Sequence, residues 1–253
     1  MGKNNRQTFI GANWKMNTIP EGALRSGSPY RSDIIDLVVL PMSIDLSACR
    51  ETGIRCGGQA GRSEKTGAFT GDISMEILQK IGASHVLCGH SERRQHHHET
   101  DEQIAMQVEA AVAEGLTPIL CIGETADQRE MDETEEVLEA QLSLLLKSQS
   151  STLNAHNFIV AYEPVWAIGT GKTPTPSEAQ TTHAFIRSLL PDPMIRILYG
   201  GSMNGQNAAE FLMQPDIDGG LVGGASLKPE EFLKIVEAAK KWKVEGGKLK
   251  VKG

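Results

Sequence analysis

The chain has 253 residues, 40% of them hydrophobic, with 25 Lys and Arg against 32 Asp and Glu and a formal net charge of −7. That length admits one large α/β domain or two small ones, with a substantial buried core. The acidic balance argues against nucleic-acid binding, and no apolar run approaches the roughly 20 residues of a membrane span.

Residues 1–7 are polar and unlike a secretory leader, so the expected location is the cytoplasm. Short apolar runs then predict strands over 8–13, 37–40, 54–59, 85–89, 117–122, 158–163, 195–200 and 220–223. The first connection, 18–33, holds two prolines and two glycines. Any helix there is short or absent, which predicts thin cover over the first two strands. Later helices are better marked. Thr100-Asp101-Glu102 opens one that runs through Ala113 and stops at Gly115, with acids at its positive end. Another spans 134–147 with a broad apolar face. Ser177 is the predicted cap of a helix reaching Leu190, and Asn204 of a short one. Pro229 sits in the first turn of the last helix. Residues 240–253 carry six lysines against one glutamate and read as a frayed, solvated end.

Strict alternation of eight strands with helices implies parallel pairing with right-handed crossovers. Closing eight such units gives an α/β (β/α)8 barrel, whose typical length is about 250 residues. The expectation is a single barrel domain over 1–243, its first helix shortened or absent, followed by a lysine-rich extension over 244–253. An open doubly wound sheet would carry G-x-G-x-x-G at its first turn, where this chain has Asn13-Trp14-Lys15-Met16-Asn17. Cysteines stand at 49, 56, 88 and 121 with no C-x-x-C pair. Cys56, Cys88 and Cys121 lie in strand-like runs, so buried thiols are expected rather than disulfides or a zinc site.

In such barrels chemistry sits at the C-terminal strand ends. Glu163 ends the apolar run from Phe158 to Tyr162 and opens a glycine-bearing loop. A carboxylate fixed there, beside a loop that closes over it, suits abstraction of a proton from carbon. The other ends supply Asn13 and Lys15, His90 through Arg94, Gly200-Gly201-Ser202, and Gly223 through Leu227. Glycines after the seventh and eighth strands let backbone N–H groups approach an anion, where phosphate sites of this fold lie. Gly171-Lys172-Thr173 hints at a nucleotide P-loop, but that motif needs glycine where Trp166 stands. His96, His97 and His98 suggest a metal cluster, but consecutive side chains point apart, so metal binding is not expected.

Seven segments in order resemble the triosephosphate isomerase family. They are Gly11 through Asn17, Gly67 through Gly71, Cys88 through Arg94, Cys121 through Glu124, Ala161 through Lys172, Tyr199 through Ser202 and Leu221 through Leu227. The resemblance runs from Phe9 to about Val236 and is weakest over 18–63. It implies an enzyme of glycolysis and gluconeogenesis that interconverts dihydroxyacetone phosphate and D-glyceraldehyde 3-phosphate, with no metal or organic cofactor. By the same resemblance Glu163 would be the base and His90 the group that polarises the carbonyl. Lys15 would supply fixed charge, and Asn13 would bind substrate and orient Lys15. Glu92 would hold Lys15 by charge from outside the site, and the family also gives this position a proton-relay role. Gly169, Ser202, Gly223 and Gly224 would grip the phosphate, and residues 164–172 would form the lid. In triosephosphate isomerases such a lid excludes water when it closes. Thr70 would insert into a neighbouring copy, making a homodimer with no nucleic-acid or membrane partner. The family's glycine is replaced by His98, which puts the local turn in question. Two alternatives remain: another phosphate-binding barrel, such as a pentose-phosphate epimerase or an indole-pathway isomerase, and a binding protein on a retired scaffold. The first has no reason to combine Asn13, Lys15, His90 and Glu163; the second has no reason to keep them intact.

Overall fold

A computed structural model describes residues 6–149, 152–167 and 173–244 of the chain. Eight parallel strands form one sheet: β1 (Phe9–Asn13), β2 (Asp36–Leu40), β3 (Gly57–Gly58), β4 (His85–Cys88), β5 (Thr117–Ile122), β6 (Ile159–Tyr162), β7 (Arg196–Tyr199) and β8 (Gly219–Val222). Their spatial order is β2-β1-β8-β7-β6-β5-β4-β3. A parallel bridge between Val39 and Cys56, with Val39 N–H donating to Arg55 O at 3.0 Å, joins the two ends and closes the barrel.

Side chains alternate across each strand, so two cores form. Phe9, Val38, Leu40, Leu87, Ile119, Cys121, Ile159, Ala161, Leu198 and Leu221 fill the barrel. Their neighbours Ile10, Ala12, Val39, Leu120, Ile122 and Val160 face outward into a second layer under the helices. Period two carries the inward direction past the last filled layer. Ile159 and Ala161 point in, and the same count brings Glu163 into the barrel mouth. Phe9 likewise sets the direction of Asn13.

The helices are α1 (Leu46–Glu51), α2 (Met75–Lys80), α3 (Ser91–His97), α4 (Asp101–Ala113), α5 (Ala126–Glu130), α6 (Thr134–Gln149), α7 (Pro176–Leu189), α8 (Ala208–Leu212) and α9 (Pro229–Val244). Four details differ from the sequence reading. The third strand is reduced to Gly57–Gly58 and lies so close to β4 that a Cβ on Gly57 would be 2.5 Å from His85 O. Helix α7 is capped by Thr175 rather than Ser177: Thr175 and Glu178 complete a reciprocal capping box, with Pro176 in the first turn, where no N–H is needed. Asn204 organises the turn before α8, accepting from Gln206 N–H at 2.9 Å and Asn207 N–H at 3.2 Å, while the helix itself begins after Asn207.

The fourth difference concerns the first connection. Among the described residues, 18–33 form turns and bends with no helix, as the prolines and glycines predict. The cover there is nonetheless tight. Tyr30 is 1% exposed, stacks on Phe232 of α9 at 4.9 Å and meets Trp14 edge-on at 5.3 Å. Ala23 joins Tyr30 in the core, with Ile19 and Leu24 packed against it. All four cysteines are free and buried. Helix α9 runs to Val244, and residues 245–253 of the lysine-rich extension lie outside the described residues.

Candidate active site

At the end of β1, Asn13 is buried and its Oδ1 accepts from Lys15 N–H at 3.0 Å. Lys15 has φ of +50°, in the left-handed region that costs a side-chain-bearing residue about 1–2 kcal/mol. Three hydrogen bonds brace this turn. Besides the Asn13 contact, Gln59 Nε2 donates to Lys15 O at 2.7 Å and to Leu40 O at 2.9 Å. The turn sends the lysine stem past Gly223, where an added Cβ would lie 3.3 Å from Lys15 Cε. The ammonium ends 2.5 Å from Glu92 Oε1. Partial burial pushes the Glu92 carboxyl up, but the hydrogen bond and charge of Lys15, with His90 nearby, outweigh it and leave the group below its ordinary value.

His90 follows β4 and is the N-cap of α3. Its Nδ1 accepts from Glu92 N–H at 3.2 Å. A ring nitrogen that accepts carries no proton, which leaves Nε2 as the donor of the ring. Nε2 lies 3.0 Å from Glu163 Oε1. The other carboxylate oxygen, Oε2, accepts from Ser91 N–H at 2.8 Å. Glu163 is 2% exposed, and its own N–H donates to Ile122 O at 2.8 Å, extending the β6–β5 ladder by one bond. Glycines make room for it: a Cβ on Gly200 would lie 2.9 Å from Glu163 Cγ, and one on Gly123 only 1.7 Å from Glu163 O.

After β7, Gly201 makes room for the Tyr199 ring, since a Cβ there would lie 2.3 Å from Tyr199 Oη and 3.0 Å from Pro164 Cγ. Ser202 is exposed, and its carbonyl accepts from Asn207 Nδ2 at 3.0 Å. After β8, Gly223 lies beside the Lys15 stem and precedes a 3-10 helix over Gly224–Leu227, with Gly224 exposed. Ser226 Oγ ties this turn together, donating to Gly223 O at 2.7 Å. Asn13, Lys15, His90, Glu92, Glu163 and Gly223 thus lie in one hydrogen-bonded or packed series across the barrel mouth. Gly169, with the rest of 168–172, lies outside the described residues. Thr70 is exposed on the loop between β3 and α2, apart from that series.

Two groups of the site escaped the sequence reading. One is the Ser91 N–H, a backbone donor that no residue type announces. The other is Glu124, fully buried at the end of β5, whose Oε1 accepts from Trp166 Nε1 at 2.8 Å, Tyr162 Oη at 3.0 Å and Arg129 Nη1 at 3.3 Å. It anchors the 3-10 helix Val165–Ala167 that follows β6. Burial raises the Glu124 carboxyl, partly offset by those donors. The signal was present: an acid follows a strand-ending glycine on the catalytic face. The three consecutive histidines do not converge. His96 and His97 end α3 and His98 takes the left-handed cap, and among the described residues no group of three His, Cys, Asp or Glu is disposed around a metal.

Comparison with known proteins matches residues 8–239 to the family model for triosephosphate isomerase. Curated relatives named triosephosphate isomerase are 44% identical in Paracidovorax citrulli, Magnetococcus marinus and Delftia acidovorans. Each alignment covers 92% of this chain and 98–99% of the relative.

Proposed function

This chain belongs to the triosephosphate isomerase family and is an isomerase of triose phosphates, and we propose how its residues divide the work. Glu163 removes a proton from the hydroxymethyl carbon of dihydroxyacetone phosphate. The C–H electron pair forms the carbon–carbon double bond of an enediolate as the carbonyl electrons move to oxygen. His90, donating through Nε2, stabilises that oxygen and passes a proton between the two oxygens. Glu163 then returns the proton to the neighbouring carbon, giving D-glyceraldehyde 3-phosphate, with no net gain or loss of atoms or electrons.

One observation carries this reading: Glu163 Oε1 and His90 Nε2 face each other at 3.0 Å in a buried mouth. Base and electrophile are within hydrogen-bonding reach of one another. A carbonyl oxygen that takes over the Nε2 hydrogen releases the carboxylate toward the adjacent carbon. Lys15 supplies a fixed positive charge for the phosphate and the enediolate, and Glu92 sets its position. Gly223, Gly224, Ser202 and Gly169 hold the phosphoryl oxygens, with Asn13 orienting Lys15. The lid that begins at Pro164 excludes water.

The same reading includes a homodimer. A cavity of about 480 Å³ next to the site is lined by Gln59, Arg93, His97 and Glu99, and Gln59 also braces Lys15. Met16, next to Lys15 in the chain, and Ile44, next to the cavity-lining Ser43, are 88% and 82% exposed. The proposed occupant of the cavity is the loop carrying Thr70 of the partner subunit. Changing Lys15 to Met should nearly abolish turnover while thermal unfolding stays unchanged; an active variant, or one that merely unfolds, contradicts the assignment. Sedimentation should give twice the 27.4 kDa chain mass, and a fully active monomer would contradict the dimer.

A further inference from the structure

The connection after β1 does more than cover the barrel. Tyr30 Oη donates to Ser226 O at 2.6 Å, across 196 positions of sequence. Ser226 belongs to the 3-10 helix Gly224–Leu227, and its own Oγ donates to Gly223 O at 2.7 Å and lies 3.5 Å from Asn13 O. The Tyr30 ring meets Trp14 edge-on, and Trp14 stands between Asn13 and Lys15. Phe232 backs the ring from α9. One side chain therefore touches both halves of the anion grip, the left-handed Lys15 turn and the turn that begins at Gly223. Burial raises the phenol well above its ordinary value, so the hydroxyl keeps its proton and remains a donor.

We propose that Tyr30 is a positioning residue for the phosphate grip, fixing the turn after β8 against the Lys15 turn without itself touching substrate. This rests on the isomerase reading above and adds a residue from the helix-less segment to it. Three features support positioning over simple packing. The hydroxyl bonds a backbone oxygen within the grip rather than a distant one. Lys15 sits in a strained conformation whose neighbour Trp14 is fully buried under Tyr30. The space between Lys15 Cε and Gly223 is so narrow that a Cβ on the glycine would lie at 3.3 Å, so a small shift of either turn alters it.

The test is Tyr30→Phe, which keeps both ring contacts and removes only the hydroxyl. A neutral hydrogen bond of this kind is worth about three- to tenfold in an equilibrium. The expected result is a KM for D-glyceraldehyde 3-phosphate, and an inhibition constant for inorganic phosphate, that rise together by about that factor. kcat should stay within twofold of wild type, and kcat/KM for phosphate-free D-glyceraldehyde should not change. Equal losses with the phosphorylated and phosphate-free substrates would overturn positioning of the phosphate, as would unchanged phosphate affinity, with or without a lower Tm. If the wild-type protein itself fails to isomerise triose phosphates, the functional reading fails first. If wild type is active and Tyr30→Phe is indistinguishable from it, only this inference fails.

Discussion

Changing Glu163 to Asp removes one methylene from the proposed base, and the surroundings determine how much of that loss can be recovered. The Glu163 N–H is fixed to Ile122 O at 2.8 Å, and its carbonyl is pressed against Gly123. The backbone therefore cannot advance, and the carboxylate retracts by about one C–C bond, ~1.5 Å. A misplacement of about 1 Å costs on the order of 100-fold in rate, equivalent to ~2.7 kcal/mol of barrier. We expect kcat to fall by at least about 100-fold. KM should remain within about threefold, because the groups proposed to hold phosphate are untouched. The assay couples dihydroxyacetone phosphate formation to an NADH-dependent dehydrogenase, with thermal unfolding measured in parallel. A variant that turns over within threefold of wild type, or that changes KM alone, refutes Glu163 as the base.

Two further predictions concern stability. Burial, then the charges of Arg196 and Arg55, depress the buried His85 to about 3. Below the ordinary value near 6.5 the unfolded chain takes up a proton that the folded state refuses, so stability falls with pH across the window from 6.5 to about 3. At pH 5 that amounts to ~2 kcal/mol, and His85→Gln should flatten the acid limb of the unfolding curve by that amount; an unchanged limb contradicts it. His98 has φ of +55° as the C-cap of α3, so His98→Gly should relieve ~1 kcal/mol and raise Tm by about 2–4 °C, whereas a lower Tm would show that the imidazole contributes contacts that outweigh the strain.

Much of this molecule was legible because period two and strand–helix alternation are local signals. The run from Phe158 to Tyr162 announced a buried strand, and counting by twos along it brought Glu163 to the barrel mouth. His90 and Lys15 were legible as the first polar groups beyond strand ends and through the family's motifs. The third strand was less legible, since Gly57 and Gly58, which pair with His85 and Val86 of β4, carry no side-chain pattern. The cap of α7 was misread between Thr175 and Ser177, although the Thr175-x-x-Glu178 spacing and Pro176 favour the former. His98 shows that the turn usually made by glycine persists in the left-handed conformation. Tyr30 could not be read at all as a bridge. Its partners Ser226 and Phe232 lie some 200 positions away, and only the folded chain brings them to it.

The most direct test of the central claim is isomerisation of D-glyceraldehyde 3-phosphate in D2O, followed by proton NMR with purified protein. Proton abstraction by Glu163 through an enediolate predicts dihydroxyacetone phosphate that carries solvent deuterium on its hydroxymethyl carbon, with conversion and labelling both lost in Glu163→Gln. A folded wild-type protein that leaves the triose unconverted and unlabelled, or a Glu163→Gln variant that converts it at the wild-type rate, would contradict the account.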